Sequence, residues 1–380
     1  MTTDAHLATP SGKPRARAIG LKYRGAPGPY NAITDVPGVE VGYETLIKGD
    51  NVRTGVTAIH PRGKDNPSDA VAAGFHSLNG NGEMTGIAWI EESGTFQGPV
   101  AITNTHAVGV AHAGIIAWVK KHSTSEADSW LLPVAAETYD GYLNDINGHH
   151  VTEDTVIKAL EAAQTGPVEE GSVGGGTGMN CYQFKGGNGT ASRVVEYAGT
   201  PYTVGVFLQA NFGGRRELTL NGVYLGEELK DDNPMAKRSQ LPPLPPGAGS
   251  VIAVVATDAP LFPHQCKAMA RRVSLGLART GTISSHFSGD IFLAFSTANP
   301  GAFTGSDPVS RLAANGRYDT LTFIPWGFLD PFYEAVVQAT EEAVANALTA
   351  NDEMTGRDGH RSPAMPRDRV AEILARLPIR

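Results

Sequence analysis

Residues 241–258 read LPPLPPGAGSVIAVVATD, and the reading of the fold turns on this stretch. A proline-rich tether, polar over its first residues from 229, runs to the small dipeptide Gly249-Ser250. Such a segment favours extended backbone and resists regular packing. The run VIAVVAT that follows is apolar and β-branched, as expected of a strand in a sheet covered on both faces. The chain therefore passes from a loose tether into a core strand across two residues.

Upstream of the tether the text consists of short elements bounded by Gly, Pro and Asp. Strands are expected at 38–46, 55–61 and 100–106. A helix is expected over 107–121, with Val108, Ala111, Ile115 and Val119 on one side. Thr152 caps a second helix, which carries acids in its first turn and is followed by Gly166. Two hairpins follow, one turning at 198–201 and one at Asn221-Gly222. Downstream, PHQCKAMARRVSLGLARTG is a helix with Pro263 near its start, and Cys266, Met269, Ala270, Val273 and Leu277 facing inward. DIFLAFSTAN (290–299) is a strand. Residues 331–349 form a long helix capped by Asp330, with an apolar stripe of Val336, Val337, Val344 and Leu348, and a short helix lies near 366–377. The block after 250 offers too few strands for a domain of its own. The pattern predicts two β-layers covered by helices, with one domain drawn from both sides of the tether.

Composition narrows the function. The chain has 380 residues, 41% apolar and 18% charged, which excludes disorder. A net charge of −8 without a basic stripe argues against nucleic acid. No run approaches the roughly 20 apolar residues of a membrane span. The N-terminal stretch lacks the apolar core of a signal peptide, so a cytoplasmic location is expected. Two cysteines, Cys181 and Cys266, fit reduced thiols. No Cys/His spacing suggests zinc, and no metal or cofactor is called for. GxSxG and HExxH are absent, and GGGTGMN (174–180) fails both the P-loop and the dinucleotide-binding patterns. That glycine run reads as a tight turn between sheet and helix.

Ser250 is what remains. A serine in an ordinary chain is a weak nucleophile and needs a base. Cleavage of the bond before Ser250 would supply one, because a free α-amine titrates at about 7.7–8.0 and can sit neutral beside the hydroxyl. The cut could be self-inflicted, with Ser250 Oγ attacking the Gly249 carbonyl. Gly249 lacks a Cβ and tolerates unusual backbone angles around a strained carbonyl. On the dipeptide alone, a plain loop feeding a strand is the stronger reading.

Longer motifs change that balance. ARAIGLKY, NAITDVPGVEVGY, RTGVTAIHP, NGNGEMTG, LPVAAETYDGYLNDI, VGGGTGM, YTVGVFLQANFG, SVIAVVATDAPLFPHQCKAMARRVSLGLARTG and SGDIFLAFSTAN occur in this order between about residues 15 and 345. Together they resemble the self-processing N-terminal-serine aminopeptidases of peptidase family S58, which include L-aminopeptidase/D-esterase and the β-peptidyl aminopeptidases. The resemblance implies a four-layer αββα sandwich, similar to the N-terminal-nucleophile (Ntn) hydrolases but differently connected. It implies an inactive precursor cut into a large subunit, 1–249, and a small subunit, 250–380, both parts of one intertwined domain and assembled as a homo-oligomer. An exposed apolar face on the 107–121 helix would suit that assembly. It implies short peptide or aminoacyl amide and ester substrates.

Site residues follow from the same resemblance. Ser250 is the nucleophile and, once freed, the base. Ser288 and Asp290 match the hydroxyl and carboxylate that hold the nucleophile. The family more often carries Glu there, so the shorter Asp290 is expected to make a looser or water-bridged contact. Asn211 matches the oxyanion-stabilising asparagine and Glu137 the carboxylate that holds the substrate ammonium. Tyr139 is a hydrogen-bond partner at the acyl centre, and Trp130 a wall of the substrate pocket. Two other readings stay open at this point. One is acyl transfer of the ornithine acetyltransferase type, against which the serine argues because those enzymes carry threonine. The other is an uncleaved, non-catalytic binding protein.

Overall fold

A computed structural model describes residues 4–122, 130–237, 249–303 and 318–376. The proline tether from 238 to 248 lies outside the described residues. The strands of two sheets are β1 (Glu40–Lys48), β2 (Val52–His60), β3 (Val71–Gly80), β4 (Thr95–Phe96), β5 (Val100–Asn104), β6 (Val134–Thr138), β7 (Gly187–Tyr197), β8 (Thr200–Asn211), β9 (Gly249–Thr257) and β10 (Ser288–Ser296). The helices are α1 (Ile87–Ser93), α2 (Val108–His122), α3 (Glu153–Glu161), α4 (Pro263–Ala278), α5 (Asp330–Thr349) and α6 (Arg367–Arg376).

One sheet runs β1-β2-β5-β6 and the other β4-β3-β10-β9-β8-β7. They stack face to face. Val41, Ile59, Val100, Ile102 and Val134 of the first sheet share a core with Phe207, Ile252, Val254, Ile291 and Phe295 of the second. Outside the first sheet, Val56, Ala58 and Ala101 pack against Ile115 and Trp118 of α2 and Val156 and Leu160 of α3. Outside the second, Val251, Ala253, Val255 and Phe292 pack against Met269 and Val273 of α4 and Val336 and Val344 of α5. The result is a helix–sheet–sheet–helix sandwich, as the strand and helix order predicts.

The apolar run after Ser250 is legible in this packing. Side chains of a strand alternate between faces. Val251, Ala253 and Val255 therefore enter the helix-side core, and Ile252, Val254 and Ala256 the inter-sheet core. Each large side chain buried this way contributes about 1.5–3 kcal/mol. β9 is flanked by antiparallel β8 and parallel β10, so chain from before the tether pairs directly with chain from after it.

Several local expectations need correction. The junction is not loose where it meets the sheet, because β9 already includes Gly249, which pairs with Ser288. The glycine run 174–176 is not a turn into a helix, since a short strand, Asn180–Cys181, follows it. It is wedged between the sheets, where a Cβ on Gly175 would lie 2.2 Å from Gln209 Oε1 and 2.6 Å from the Ile102 carbonyl. The α3 helix ends at Glu161, before Gly166. Asp330 makes no side-chain cap to α5. That helix is buried almost all round over 338–349 rather than along a stripe, because β7, β8, α4 and the N-terminal turn Ala16–Ile19 enclose it. The outer residues of α2, such as Val110 and Ile116, are half-buried rather than an exposed apolar face.

Phe207 is fully buried between the sheets. Phe207→Ala is expected to cost about 3–5 kcal/mol, the usual range for emptying an aromatic core site. Denaturant unfolding of the two proteins measures the difference.

Candidate active site

Ser250 is the second residue of β9, opposite Asn211 of β8 and Gly289 of β10. Its parity with Ile252 turns the side chain toward the inter-sheet layer. There the end of β6 reaches it. The Tyr139 amide N–H donates to Ser250 Oγ at 3.1 Å, and Asn211 Nδ2 donates to the same oxygen at 3.3 Å. Asn211 Nδ2 also donates to the Tyr139 carbonyl at 2.9 Å, while Asn211 Oδ1 accepts the Asn180 N–H at 2.9 Å. This pattern fixes the amide, with its oxygen toward Asn180 and its nitrogen toward Ser250.

The approach of β6 to β9 is itself hydrogen-bonded. Gln209 Nε2 of β8 donates to Thr138 Oγ1 at 2.7 Å and to the Thr103 carbonyl at 3.2 Å. Asp140 anchors the turn that follows. Its carbonyl accepts the N–H groups of Leu143 and Asn144, and Asn144 Nδ2 donates to both carboxylate oxygens at 3.1 Å. Burial pushes the Asp140 carboxyl up to about 7, against hydrogen bonds from Thr54 and Asn144.

Gly249 is required for a different reason than its backbone freedom. Its φ is not in the left-handed region. A Cβ there would lie 2.2 Å from the Asn211 carbonyl oxygen and 2.9 Å from Phe212 Cα, so only glycine fits beside β8.

Asp290 and Ser288 lie on β10. Ser288 Oγ donates to Asp290 Oδ1 at 2.6 Å, Asn79 Nδ2 donates to Oδ2 at 3.1 Å, and Ser284 Oγ also donates to Oδ2. Burial raises its pKa, and these donors and the Val251 backbone oppose the rise. Among the described residues no direct hydrogen bond joins the Asp290 carboxylate to Ser250 Oγ; it is held by Ser288, Asn79 and Ser284.

Glu137, at the end of β6, is buried. Its Oε1 accepts the Glu83 N–H at 2.9 Å and its Oε2 accepts from Thr105 Oγ1. Desolvation raises its pKa against both bonds. A Cβ on Gly82 would be 3.3 Å from Glu137 Oε1 and 3.1 Å from Gly289 Cα, which places this carboxylate beside the Ser250–Gly289 rung.

Two expectations change. Tyr139 meets Ser250 through its backbone rather than its phenol, which is packed on Gly141, where a Cβ would lie 2.4 Å from the hydroxyl oxygen. Trp130 is 60% exposed and precedes β6 at the end away from Glu137. Among the described residues no hydrogen bond or ring contact joins it to Ser250, Glu137 or Asn211. Sequence reasoning missed Asn79, Ser284, Thr105, Asn180 and the Glu83 amide. Asn79 and Glu83 sit in NGNGEMTG, but their partners are 211 and 54 residues away.

Among the described residues no group of three His, Cys, Asp or Glu could hold a metal ion, and no helix is long and apolar enough to cross a membrane.

A sequence profile of peptidase family S58 matches residues 31–362. The chain belongs to peptidase family S58. A β-peptidyl aminopeptidase of Sphingosinicella microcystinivorans is 46% identical over 375 residues, covering 95% of this chain and 92% of that protein. The solved structure of an L-aminopeptidase D-Ala-esterase/amidase from Ochrobactrum anthropi, described as a variant of the Ntn-hydrolase fold, matches with a TM-score of 0.88. It is 46% identical, over 96% of this chain and 99% of that one. A β-aminopeptidase of a Burkholderia species matches with a TM-score of 0.85 at 42% identity, over 96% and 99% of the two chains. The S58 chain is thus a hydrolase, a serine aminopeptidase on an Ntn-type sandwich. The acyltransferase and binding-protein readings are not favoured.

The buried Asp140 gives a pH test. Its folded-state pKa lies above its unfolded value of about 3.9, so the folded chain binds the extra proton between the two. Stability contributed by this group is present below about pH 4 and falls as pH rises toward about 7. Asp140→Asn is expected to flatten the fall of melting temperature between pH 4 and 7, whatever its absolute value; an unchanged slope would refute this assignment.

Proposed function

We propose that the chain is made as an inactive precursor and cuts itself between Gly249 and Ser250, and that the freed Ser250 is then the nucleophile and base of the aminopeptidase. The observation that carries the reading is the convergence of two donors, the Tyr139 N–H and the Asn211 amide, on Ser250 Oγ at the head of a rigid central strand. In the first step Oγ attacks the Gly249 carbonyl carbon, the C–N bond breaks, and the peptide becomes an ester with a free amine on Ser250. Water then hydrolyses the ester, leaving the Gly249 carboxylate and the regenerated hydroxyl. The products are a large subunit, 1–249, and a small subunit, 250–380, of one domain.

In turnover the neutral Ser250 amine takes the Oγ proton as Oγ attacks the substrate carbonyl. Tyr139 N–H and Asn211 Nδ2 stabilise the oxyanion that forms on the attacked carbonyl, two bonds from Oγ. The amine returns the proton to the leaving group, and water releases the acyl group from Ser250. Ser288 and Asp290 hold the β10 rung on which the new terminus rests. Glu137 takes the substrate ammonium, an ion pair favoured because this carboxylate is desolvated. Substrates are N-terminal aminoacyl amides, short peptides and esters, and the named activities of the relatives span L-, D- and β-aminoacyl groups. Buried, unbridged Cys181 and Cys266 fit a reducing, cytoplasmic setting. Exposed Phe323, Trp326 and Phe328 offer apolar surface for a homo-oligomer.

A denaturing gel of the purified enzyme should give two fragments, the smaller beginning at Ser250 by N-terminal sequencing, and Ser250→Ala should give one inactive chain. Cleavage of the alanine variant would remove serine from the processing step. Asn211→Ala should lower kcat roughly 10²–10³-fold, the usual loss of an oxyanion donor. Glu137→Gln should raise KM for substrates with a free ammonium and leave N-acetylated esters unaffected; equal effects on both would exclude the ammonium role.

A further inference from the structure

Lys185 is fully buried, no carboxylate among the described residues pairs with it, and the chemistry above makes no use of it. Its Nζ donates to the Met179 carbonyl at 2.7 Å and to the Gly186 carbonyl at 2.8 Å. Burial pushes its pKa well below the ordinary lysine range and so favours the uncharged amine, whose two N–H groups match the two carbonyls. The Met179 carbonyl and the Asn180 N–H are two ends of one planar peptide group. The carbonyl end also accepts the Gly186 N–H at 2.9 Å, so both its lone pairs are engaged. The N–H end donates to Asn211 Oδ1.

We infer that Lys185 is a positioning residue for the oxyanion donor, acting through the Met179–Asn180 peptide on the Asn211 side chain. The inference rests on the reading of Asn211 given above. The order of contacts is Lys185 Nζ, Met179 O, Asn180 N–H, Asn211 Oδ1, Asn211 Nδ2, Ser250 Oγ. Between the Lys185 amine and the Ser250 hydroxyl stand two amide groups joined by hydrogen bonds, and hydrogen-bonded groups in a low-dielectric interior polarise one another. Electron density drawn toward Lys185 makes Asn180 a stronger donor, and that in turn makes Asn211 Nδ2 a stronger donor to the oxyanion. The same chain holds the Asn211 amide against rotation, so the donor is in place before charge develops. The ends of the loop are fixed independently. Asn351 Nδ2 donates to the Gly186 carbonyl at 2.9 Å, and Lys185 N–H to the Pro363 carbonyl at 2.7 Å. These bonds hold the loop independently of the Lys185 amine.

The test is a double-mutant cycle on cleaved enzyme, with kcat counted per acylated site by burst titration. Lys185→Met keeps the stem and removes the amine that donates to the Met179 carbonyl; it should lower kcat about tenfold with KM within twofold, a fraction of the loss from deleting Asn211 itself. In the Asn211→Ala background it should lower kcat less than twofold further, because the relay no longer has an end. Lys185→Met at the wild-type kcat, or an equal fall in both backgrounds, would overturn the relay alone. Asn211→Ala at the wild-type kcat would overturn the reading of Asn211 and the relay with it. Should Lys185→Met fail to fold, Lys185→Leu, which likewise removes the donor, takes its place in the same cycle. Should that fail too, hydrogen exchange of the wild-type enzyme decides: an Asn180 amide as protected as those of β9 supports the relay, and exchange within seconds rejects it.

Discussion

Where the end of β6 reaches β9, the Tyr139 amide donates across the sheets to Ser250 Oγ, the Asn211 side chain of neighbouring β8 donates to the same oxygen, and the rest of the site depends on this meeting. Most of the inter-sheet layer is apolar, so its few polar groups must find partners across it. Thr138 and Gln209 meet that demand one step away, and Asp140 with Asn144 holds the turn that aims the Tyr139 N–H. Rigid β9 presents the oxygen and an equally rigid β6 presents the donor. Neither needs to reorganise when charge develops, which is the condition under which such donors are most effective.

The fold was legible because the sandwich follows from strand text. The run VIAVVAT is apolar at every position, and only a strand with cover on both faces can use that; β9 has a separate core on each side. Cys266, Met269, Ala270, Val273 and Leu277 reveal α4 by helical spacing, and all five are buried. What failed was local chemistry whose partner is distant. The glycine run 174–176 resembles a turn when read alone. Its need for glycine comes from Gln209 and Ile102, which approach it from the two sheets. Asp330 has the residue type of a cap but no donor to accept.

The site was legible only in part, for the same reason. Ser250, Asn211, Glu137 and Asp290 carry side-chain chemistry that can be recognised by residue type and ordered motif. Tyr139 contributes an N–H, which every residue but proline possesses, so its identity hides its role. The donors to Glu137 and Asp290 come from Glu83, Thr105, Asn79 and Ser284, and no spacing in the chain links them to their acceptors. Lys185 is harder still. It touches two carbonyls of its own loop and reaches the serine only through a peptide bond and an amide.

The crowding at Gly249 separates two kinds of selectivity. A Cβ on this residue would collide with the β8 backbone, so the residue before Ser250 is chosen by a neighbouring strand and not by a pocket. On the reading proposed above, the cleft that receives an aminoacyl group is lined by other residues, among them Glu137, and maturation and substrate choice would then be under separate control. Mutations in the cleft can redirect which acyl groups are accepted while the chain still releases its own nucleophile, and a family built on this strand can diversify in substrate without losing the ability to switch itself on.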